Sequence, residues 1–189
     1  MLAVFSFPGR RLLVIGVNAL FGLPPVMVGL VLYLALSHSG PLGFLGFLFT
    51  PVAMVAAQAI LAAPIITALV HRAAERAWSR YSDAFLNAGA SRIQVLPHML
   101  LIARAEVITA VLAGFGRTTS EVGAIILVGG NIRGQRRTMT TAIALQTSQG
   151  DLPLALGLGT VLIGISIAVS ATVFSLAGSA REAGQDEER

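Results

Sequence analysis

The sequence has 189 residues, of which 55% are hydrophobic and only 12% are charged. A soluble domain carries about a quarter charged residues, so this composition excludes an ordinary soluble fold and indicates a protein that lies in the bilayer. The basic residues are all arginine, and cysteine is absent. A phosphate-binding P-loop needs lysine, and disulfides and thiolate metal sites need cysteine, so these are excluded. The histidines show no metal-ligand spacing. We therefore expect no catalytic residue, no cofactor and no metal, and no motif favours nucleic-acid binding.

Two apolar segments come first in the chain. Residues 12–36 and 51–70 carry no charge, and each is long enough to cross about 30 Å of hydrocarbon. Pro24-Pro25 predicts a kink or a break in the first segment, and Pro64 predicts a bend in the second. The Gly/Pro/Phe-rich residues 38–50 between them are expected to form a short apolar loop.

The next stretch, residues 71–98, is charged and is predicted to be a water-exposed loop. Two short helices fit its pattern, with a break near Gly89. Four arginines lie in this loop (Arg72, Arg76, Arg80 and Arg92). The excess of arginine favours the cytoplasmic side for the loop.

A third apolar segment, about 99–128, is expected to form one helix that contains charges. Glu106 and Arg117 are eleven residues apart, which returns to within about 20° of the same helix face. Arg117 and Glu121 have i,i+4 spacing, so their side chains are predicted to meet. Two interpretations stay open at this point: an ion pair that helps helices to pack, or a polar pathway along this face.

The last elements follow a Gly-Asn turn. Gly129-Gly130-Asn131 is predicted to be a turn at the outer surface. Arg133, Arg136 and Arg137 beyond it either attract an acidic docking face or an anion, or are simply solvated. Residues 152–178 form the fourth charge-free segment, with Asp151 as the expected N-cap. We assign residues 1–180 to a single transmembrane domain and 181–189 to a solvated tail.

One short motif in the charged loop suggests a family. The stretch "DAFLNAGASRIQVLP", residues 83–97, is similar to the cytoplasmic loop motif of ABC-transporter permeases, Glu-Ala-Ala, three residues, then Gly. Asp83, Ala84, Phe85 and Gly89 occupy those spacings. Asp replaces Glu and Phe replaces the second Ala, and the later Ile-x-Leu-Pro of the family is not reproduced.

A longer and more specific resemblance covers residues 114–151. The stretch "GFGRTTSEVGAIILVGGNIRGQRRTMTTAIALQTSQGD" closely resembles the tungstate permease family, which carries Ser-Glu-Val-Gly-Ala and Gly-Gly-Asn-Ile-Arg-Gly at these spacings. "FPGRRLLV", "GLPPVMVGL" and "SGPLGFLGFLFTP" are also similar to that family, so the resemblance covers about residues 7–175. Members generally carry another transmembrane helix before the Phe-Pro-Gly-Arg-Arg region, which indicates a misassigned start or a shortened gene here.

The resemblance implies an all-α, polytopic permease of an ABC importer in the cell membrane, with about four transmembrane helices and a cytoplasmic coupling loop. A separate ATPase would drive it, an extracytoplasmic binding protein would deliver tungstate, and two copies would form the path through the lipid. The residues that would couple to the ATPase are Asp83, Ala84, Gly89, Ala90 and Ser91. The candidate pathway or intramembrane pair is Glu106, Arg117, Ser120 and Glu121. The outer loop is Gly130, Asn131 and Arg133.

Two points stay open in the sequence. Glu121 would repel an anion, so we expect it either to hold Arg117 or to fix the helix end. The substrate is either tungstate or molybdate, because both are tetrahedral dianions of nearly equal size. Alternatives from other classes are a stand-alone channel or secondary carrier, and a non-transporting membrane scaffold.

Overall fold

The computed structural model describes residues 7–132 and 137–186, and these form eight α-helices and one short 3-10 turn. The elements are α1 Arg10–Phe21, α2 Pro25–Leu36, the 3-10 turn Gly43–Leu45, α3 Pro51–Asn87, α4 Arg92–Ile102, α5 Arg104–Thr119, α6 Gly123–Gly129, α7 Met139–Gln149 and α8 Leu152–Asp186. The described part of the chain contains no strand, so the all-α prediction is confirmed.

Two helices are long and apolar enough to cross a membrane alone, α3 and the Leu152–Ser175 part of α8. Two further spans are reached if each broken pair, α1 with α2 and α4 with α5, counts as one. The expected number of about four spans agrees with this range. Only 6% of the apolar window in α8 is buried by the described part of the chain, so much of this helix is left for lipid or for another subunit.

The first apolar segment is broken at the predicted place. Helix α1 ends at Phe21 and α2 begins at Pro25, with Pro24 in an extended conformation as its N-cap. Proline at the first helical position is favourable because the amide hydrogen that it lacks would have no partner there. The two prolines therefore start a new helix and do not merely bend one.

Two short helices were expected within 71–98, and the first of them is not a separate helix. Helix α3 continues through the charged stretch for 37 residues, about 55 Å at 1.5 Å per residue. Ala73 and Ala77 are buried while Arg72 and Arg76 are exposed, so this stretch is an amphipathic continuation of the helix. The predicted break near Gly89 is confirmed.

The prediction of a single helix over 99–128 was also wrong. Helix α4 ends at Ile102, α5 runs to Thr119, and α6 begins only at Gly123. Pro97 lies inside α4, and nothing in the structure explains why the break comes at Ala103. The fourth segment starts as predicted, because the Leu154 amide donates to Asp151 Oδ1 at 3.2 Å.

The chain divides into two compact units. Unit 1 contains the residues up to Gly22, Ala63–Gly114 and the residues from Val173 on; unit 2 contains Leu23–Ala62 and Phe115–Thr172. The boundaries fall between α1 and α2 and inside α3, α5 and α8. The assignment of residues 1–180 to one transmembrane domain stays a prediction.

The core of unit 2 is built around the contact between α2 and α6. A Cβ atom on Gly29 would lie 2.6 Å from the Ala124 Cα, so the two backbones approach too closely for any other residue at position 29. Val28, Ala124, Ile125 and Val128 are buried around this contact. Small residues that permit close backbone approach are typical of helix pairs in membranes.

Candidate functional site

The turn that follows α3 ends the helix with a Schellman motif. The Ala90 amide donates to the Phe85 carbonyl at 3.1 Å, and the Gly89 amide donates to the Leu86 carbonyl at 3.0 Å. Gly89 has φ +78°, the left-handed conformation that this motif requires and that glycine adopts without strain. The sequence prediction of a sharp turn at Gly89 is confirmed.

A second helix leaves this turn at once. Ser91 is the N-cap of α4, and its amide and its hydroxyl both donate to Gln94 Oε1, at 2.9 and 2.8 Å. Asp83, Ala84, Gly89 and Ser91 are exposed on this chain, whereas Ala90 is half-buried. The predicted coupling residues therefore lie together on one helix-turn-helix, which we call the coupling turn (residues 83–91).

A small apolar cluster lies under the coupling turn. Phe85 and Ala90 pack against buried Ala77, Val95 and Met99. A contact between these two positions of a Schellman motif is common and fixes the exit direction of the chain. The departure from the family motif at Phe85 thus has a structural reason, because this ring anchors the turn from below.

Glu121 does not pair with Arg117. Helix α5 ends at Thr119, before the helical register can bring the two side chains together, and the salt bridges between described residues do not include this pair. Instead Glu121 Oε1 accepts a hydrogen bond from the Ala124 amide at 3.0 Å. The carboxylate is only 5% exposed and lies at the positive end of α6, where a negative charge is favourable. The ion-pair prediction was wrong, and the alternative that Glu121 fixes a helix end is confirmed.

The other residues of the predicted pathway face different surroundings. Glu106 is exposed in the first turn of α5, and Arg117 is half-buried near the end of that helix. Ser120 is exposed, and its hydroxyl donates to the Arg117 carbonyl at 3.1 Å. Within unit 2, no hydrogen bond or ion pair between described residues joins the Ser120 or Glu121 side chain to the Arg117 guanidinium. A role of these residues and of Glu106 in a pathway stays a prediction.

The Gly-Asn turn is present, and an arginine closes it. Gly130 and Asn131 both have positive φ, +72° and +48°. Arg137 donates from Nε to Asn131 Oδ1 at 3.1 Å and from Nη2 to the Asn131 carbonyl at 3.2 Å. Arg133 and Arg136 lie outside the described residues. The Asn131 side chain is needed as an acceptor, and Asn also tolerates the left-handed conformation better than most residues.

Sequence reasoning missed a hydroxyl cluster beside Glu121. The Thr140 hydroxyl donates to the Glu121 carbonyl at 3.1 Å. Thr138 caps α7, with its Oγ1 accepting from the Thr141 amide at 3.2 Å, and Thr141 is fully buried. The contact to Glu121 spans 19 residues of sequence, and no local pattern predicts it.

A second missed cluster joins α1 to α3 within unit 1. Arg10 forms an ion pair with Glu75, and Arg72 donates to Asn18 Oδ1 at 2.9 Å. His71 is buried, with Nε2 3.5 Å from Glu75 Oε1 but without hydrogen-bond geometry. Among the described residues, no group of three acidic or histidine side chains is placed to hold a metal ion.

Comparison with known proteins identifies the class. No protein-family profile matches the sequence. The chain is 40% identical over 173 residues to the tungstate uptake system permease protein TupB of Peptoclostridium acidaminophilum, which covers 92% of this chain and 76% of that protein. It is 36% identical over 171 residues to a probable anion ABC transporter permease protein of Haloferax volcanii, covering 88% and 74%. It is also 36% identical over 166 residues to TupB of Campylobacter jejuni, covering 88% and 70%.

The helical architecture and these relatives define a multi-pass membrane protein, the permease subunit of an ABC transporter. More narrowly, the chain belongs to the tungstate uptake permease family. The resemblance inferred from "SEVGA" and "GGNIRG" is thereby confirmed.

Proposed function

We propose that this chain forms the membrane path of an ATP-driven tungstate importer and that a separate ATPase subunit binds its coupling turn. The names of two relatives support tungstate as the substrate. The observation that carries the proposal is the geometry of the coupling turn. Asp83, Ala84 and Ser91 are exposed around Gly89, while the turn itself is held rigidly by its hydrogen bonds and by Phe85.

A rigid and exposed turn is suited to transmitting motion. The amphipathic part of α3 leads into the turn and α4 leads away from it, so a displacement of the turn moves two helices. Apart from its two chain neighbours, no described residue has an atom within 4 Å of a Cβ built on Gly89. The space above Gly89 is therefore open to a partner, and we place the ATPase there.

The remaining partners follow from the proposed import direction. An extracytoplasmic binding protein would deliver the anion on the side opposite the coupling turn, and two copies of this chain would enclose the path. The chain supplies no P-loop, because that motif needs lysine and the sequence has none. ATP hydrolysis is therefore assigned to the ATPase subunit. The purified chain, freed from that subunit, should not hydrolyse ATP, and persistent hydrolysis would contradict the assignment.

Reconstitution tests the proposal. Lipid vesicles would carry this chain and its cognate ATPase, with ATP inside and with the binding protein and tungstate outside. Tungstate should accumulate only when all three proteins and ATP are present. Uptake that persists without the ATPase would identify a stand-alone channel or carrier instead. Molybdate that competes at equal concentration as strongly as unlabelled tungstate would assign the chain to oxyanions more broadly.

A further inference from the structure

Unit 2 contains a cavity of about 170 Å³ with an unusual number of hydroxyl groups. Its polar lining consists of Gln58 on α3, Thr118 and Thr119 at the end of α5, and Thr138 and Thr140 at the start of α7. The remaining lining residues are apolar, and none of the lining residues is acidic. A single water needs only about 10–15 Å³ of such volume, so the cavity has room for a ligand of several heavy atoms.

Most of these hydroxyl groups already form hydrogen bonds within the chain. Thr140 donates to the Glu121 carbonyl at 3.1 Å, and Thr118 donates to the Phe115 carbonyl at 2.9 Å. Thr138 is engaged with Thr140 and Thr141. By contrast, the Gln58 amide and the Thr119 hydroxyl have no hydrogen bond to any other described residue. Together they offer two N–H donors and one O–H donor.

Gln58 is conspicuous for a second reason. It is the only amide in the charge-free segment 51–70, and it stands one residue after fully buried Ala57. Polar side chains in membrane-spanning helices usually bond to a neighbouring helix or face a polar cavity. Because Gln58 makes no such bond to a described residue and lines this cavity, its side chain is available to bind a polar ligand or water there.

We propose that this cavity is a transit site for a tetrahedral oxyanion, held by the Gln58 amide and the Thr119 hydroxyl. The inference rests on the proposed function and specifies where the anion stops on its way. An oxyanion carries only acceptor oxygens, which match the free donors, and hydrogen bonds to a charged group are about twice as strong as neutral ones. Neutral donors suit a transit site, because a path must bind its ion weakly enough to release it.

The absence of cysteine from the sequence permits a direct test. Met139→Cys and Leu162→Cys each introduce a single thiol into the cavity wall and leave both proposed donors in place, and methyl methanethiosulfonate modifies the thiol at a measurable rate. The chain is kept with its ATPase in membrane vesicles, and the mass of the chain reports the modification. With tungstate at about ten times its Kd, modification should slow about tenfold, because occupancy protects as 1 + [L]/Kd.

The matched control is Thr109→Cys on α5, at a position that does not line the cavity. Thr109 is exposed, and its hydroxyl donates to the Ala105 carbonyl at 2.9 Å. Its modification should not depend on tungstate. The proposal is overturned if tungstate protects neither cavity thiol, if it protects Thr109→Cys equally, or if the cavity thiols are never modified.

Uptake by the unsubstituted chain, measured in the same vesicles, separates the two claims. Normal tungstate uptake without protection would leave the proposed function intact and remove the transit site. Protection of both cavity thiols without uptake would support the anion site and contradict the importer. Using both cavity positions ensures that the poor folding of one variant does not decide the result.

Discussion

Gly29 and Gly89 both occupy positions where a side chain is unfavourable, but for opposite reasons. At Gly29, φ is ordinary and a neighbouring backbone leaves no space, since a Cβ would lie 2.6 Å from the Ala124 Cα. At Gly89, a Cβ atom would meet no described residue beyond its chain neighbours, and only the φ of +78° disfavours a side chain. The first glycine is constrained by the fold. The second is constrained by its own backbone and, in our proposal, by a partner outside the chain.

The contact at Gly29 should give the largest loss of stability. Gly29→Val places a branched side chain against a backbone that cannot move aside cheaply, so little folded protein should accumulate in the membrane. Gly29→Ala should lower the free energy of unfolding by about 1–3 kcal/mol, the usual cost of overpacking. Thermal unfolding of the detergent-solubilised chain measures both.

Gly157→Ala is the matched control for Gly29→Ala. Gly157 lies in α8, and no atom lies within 4 Å of its Cβ position. The thermal midpoint of Gly157→Ala should therefore stay unchanged or rise slightly, because alanine has a higher helix propensity than glycine. Equal losses at the two positions would show that the α2–α6 contact is not tight.

Removal of the Glu121 carboxylate should have an intermediate effect. Glu121→Leu leaves the Ala124 amide unpaired in a buried place, which costs about 1–3 kcal/mol. Glu121→Gln keeps an acceptor oxygen at that place and should retain most of the stability. Thermal unfolding of the variants in detergent measures the difference.

Arg117→Leu tests whether the Glu121 carboxylate also pairs with Arg117. Because the structure has no Arg117–Glu121 pair, the losses of Arg117→Leu and Glu121→Leu should add in the double variant. If the double variant is more stable than Glu121→Leu alone, the single variant has left the Arg117 charge without its partner. That result would show an Arg117–Glu121 ion pair and contradict the structure.

The Gly-Asn turn should show a smaller effect. Asn131→Gly relaxes the positive φ but removes the oxygen that accepts from Arg137 Nε. Asn131→Ala loses the same bond and adds backbone strain. We expect losses of about 0.5–1.5 kcal/mol for the hydrogen bond, with Ala about 1 kcal/mol worse than Gly. Equal stability of the two variants would show that the strain at position 131 is negligible.

Composition and local signals predicted the features that depend on neighbouring residues. The absence of charge located α3 and α8, Pro24-Pro25 located the first break, and Asp151 located the start of α8. Gly89 located the turn because glycine reports a backbone conformation directly. The family resemblance, in turn, came from contiguous motifs in the sequence.

The features that sequence reasoning missed depend on distant contacts. By hydropathy alone, residues 99–128 form one apolar segment. Hydropathy does not predict that the Glu121 carboxylate accepts from the Ala124 amide or that the Glu121 backbone carbonyl accepts from the Thr140 hydroxyl. An i,i+4 spacing predicts an ion pair only if the helix continues, and α5 ends first. The cavity could have been suspected from Gln58 alone, since an amide in a charge-free span needs a polar neighbour.

The central claim is that an ATPase drives this permease through the coupling turn, and Gly89 tests it most directly. Asparagine tolerates a left-handed φ better than most residues, so Gly89→Asn should keep both tungstate uptake and binding of the ATPase. Gly89→Glu meets no atom of this chain within 4 Å and should lose only about 1 kcal/mol of stability. It should nevertheless abolish uptake and pull-down of the ATPase, because its carboxylate would occupy the space of the partner. Normal uptake and normal pull-down by folded Gly89→Glu would contradict the claim.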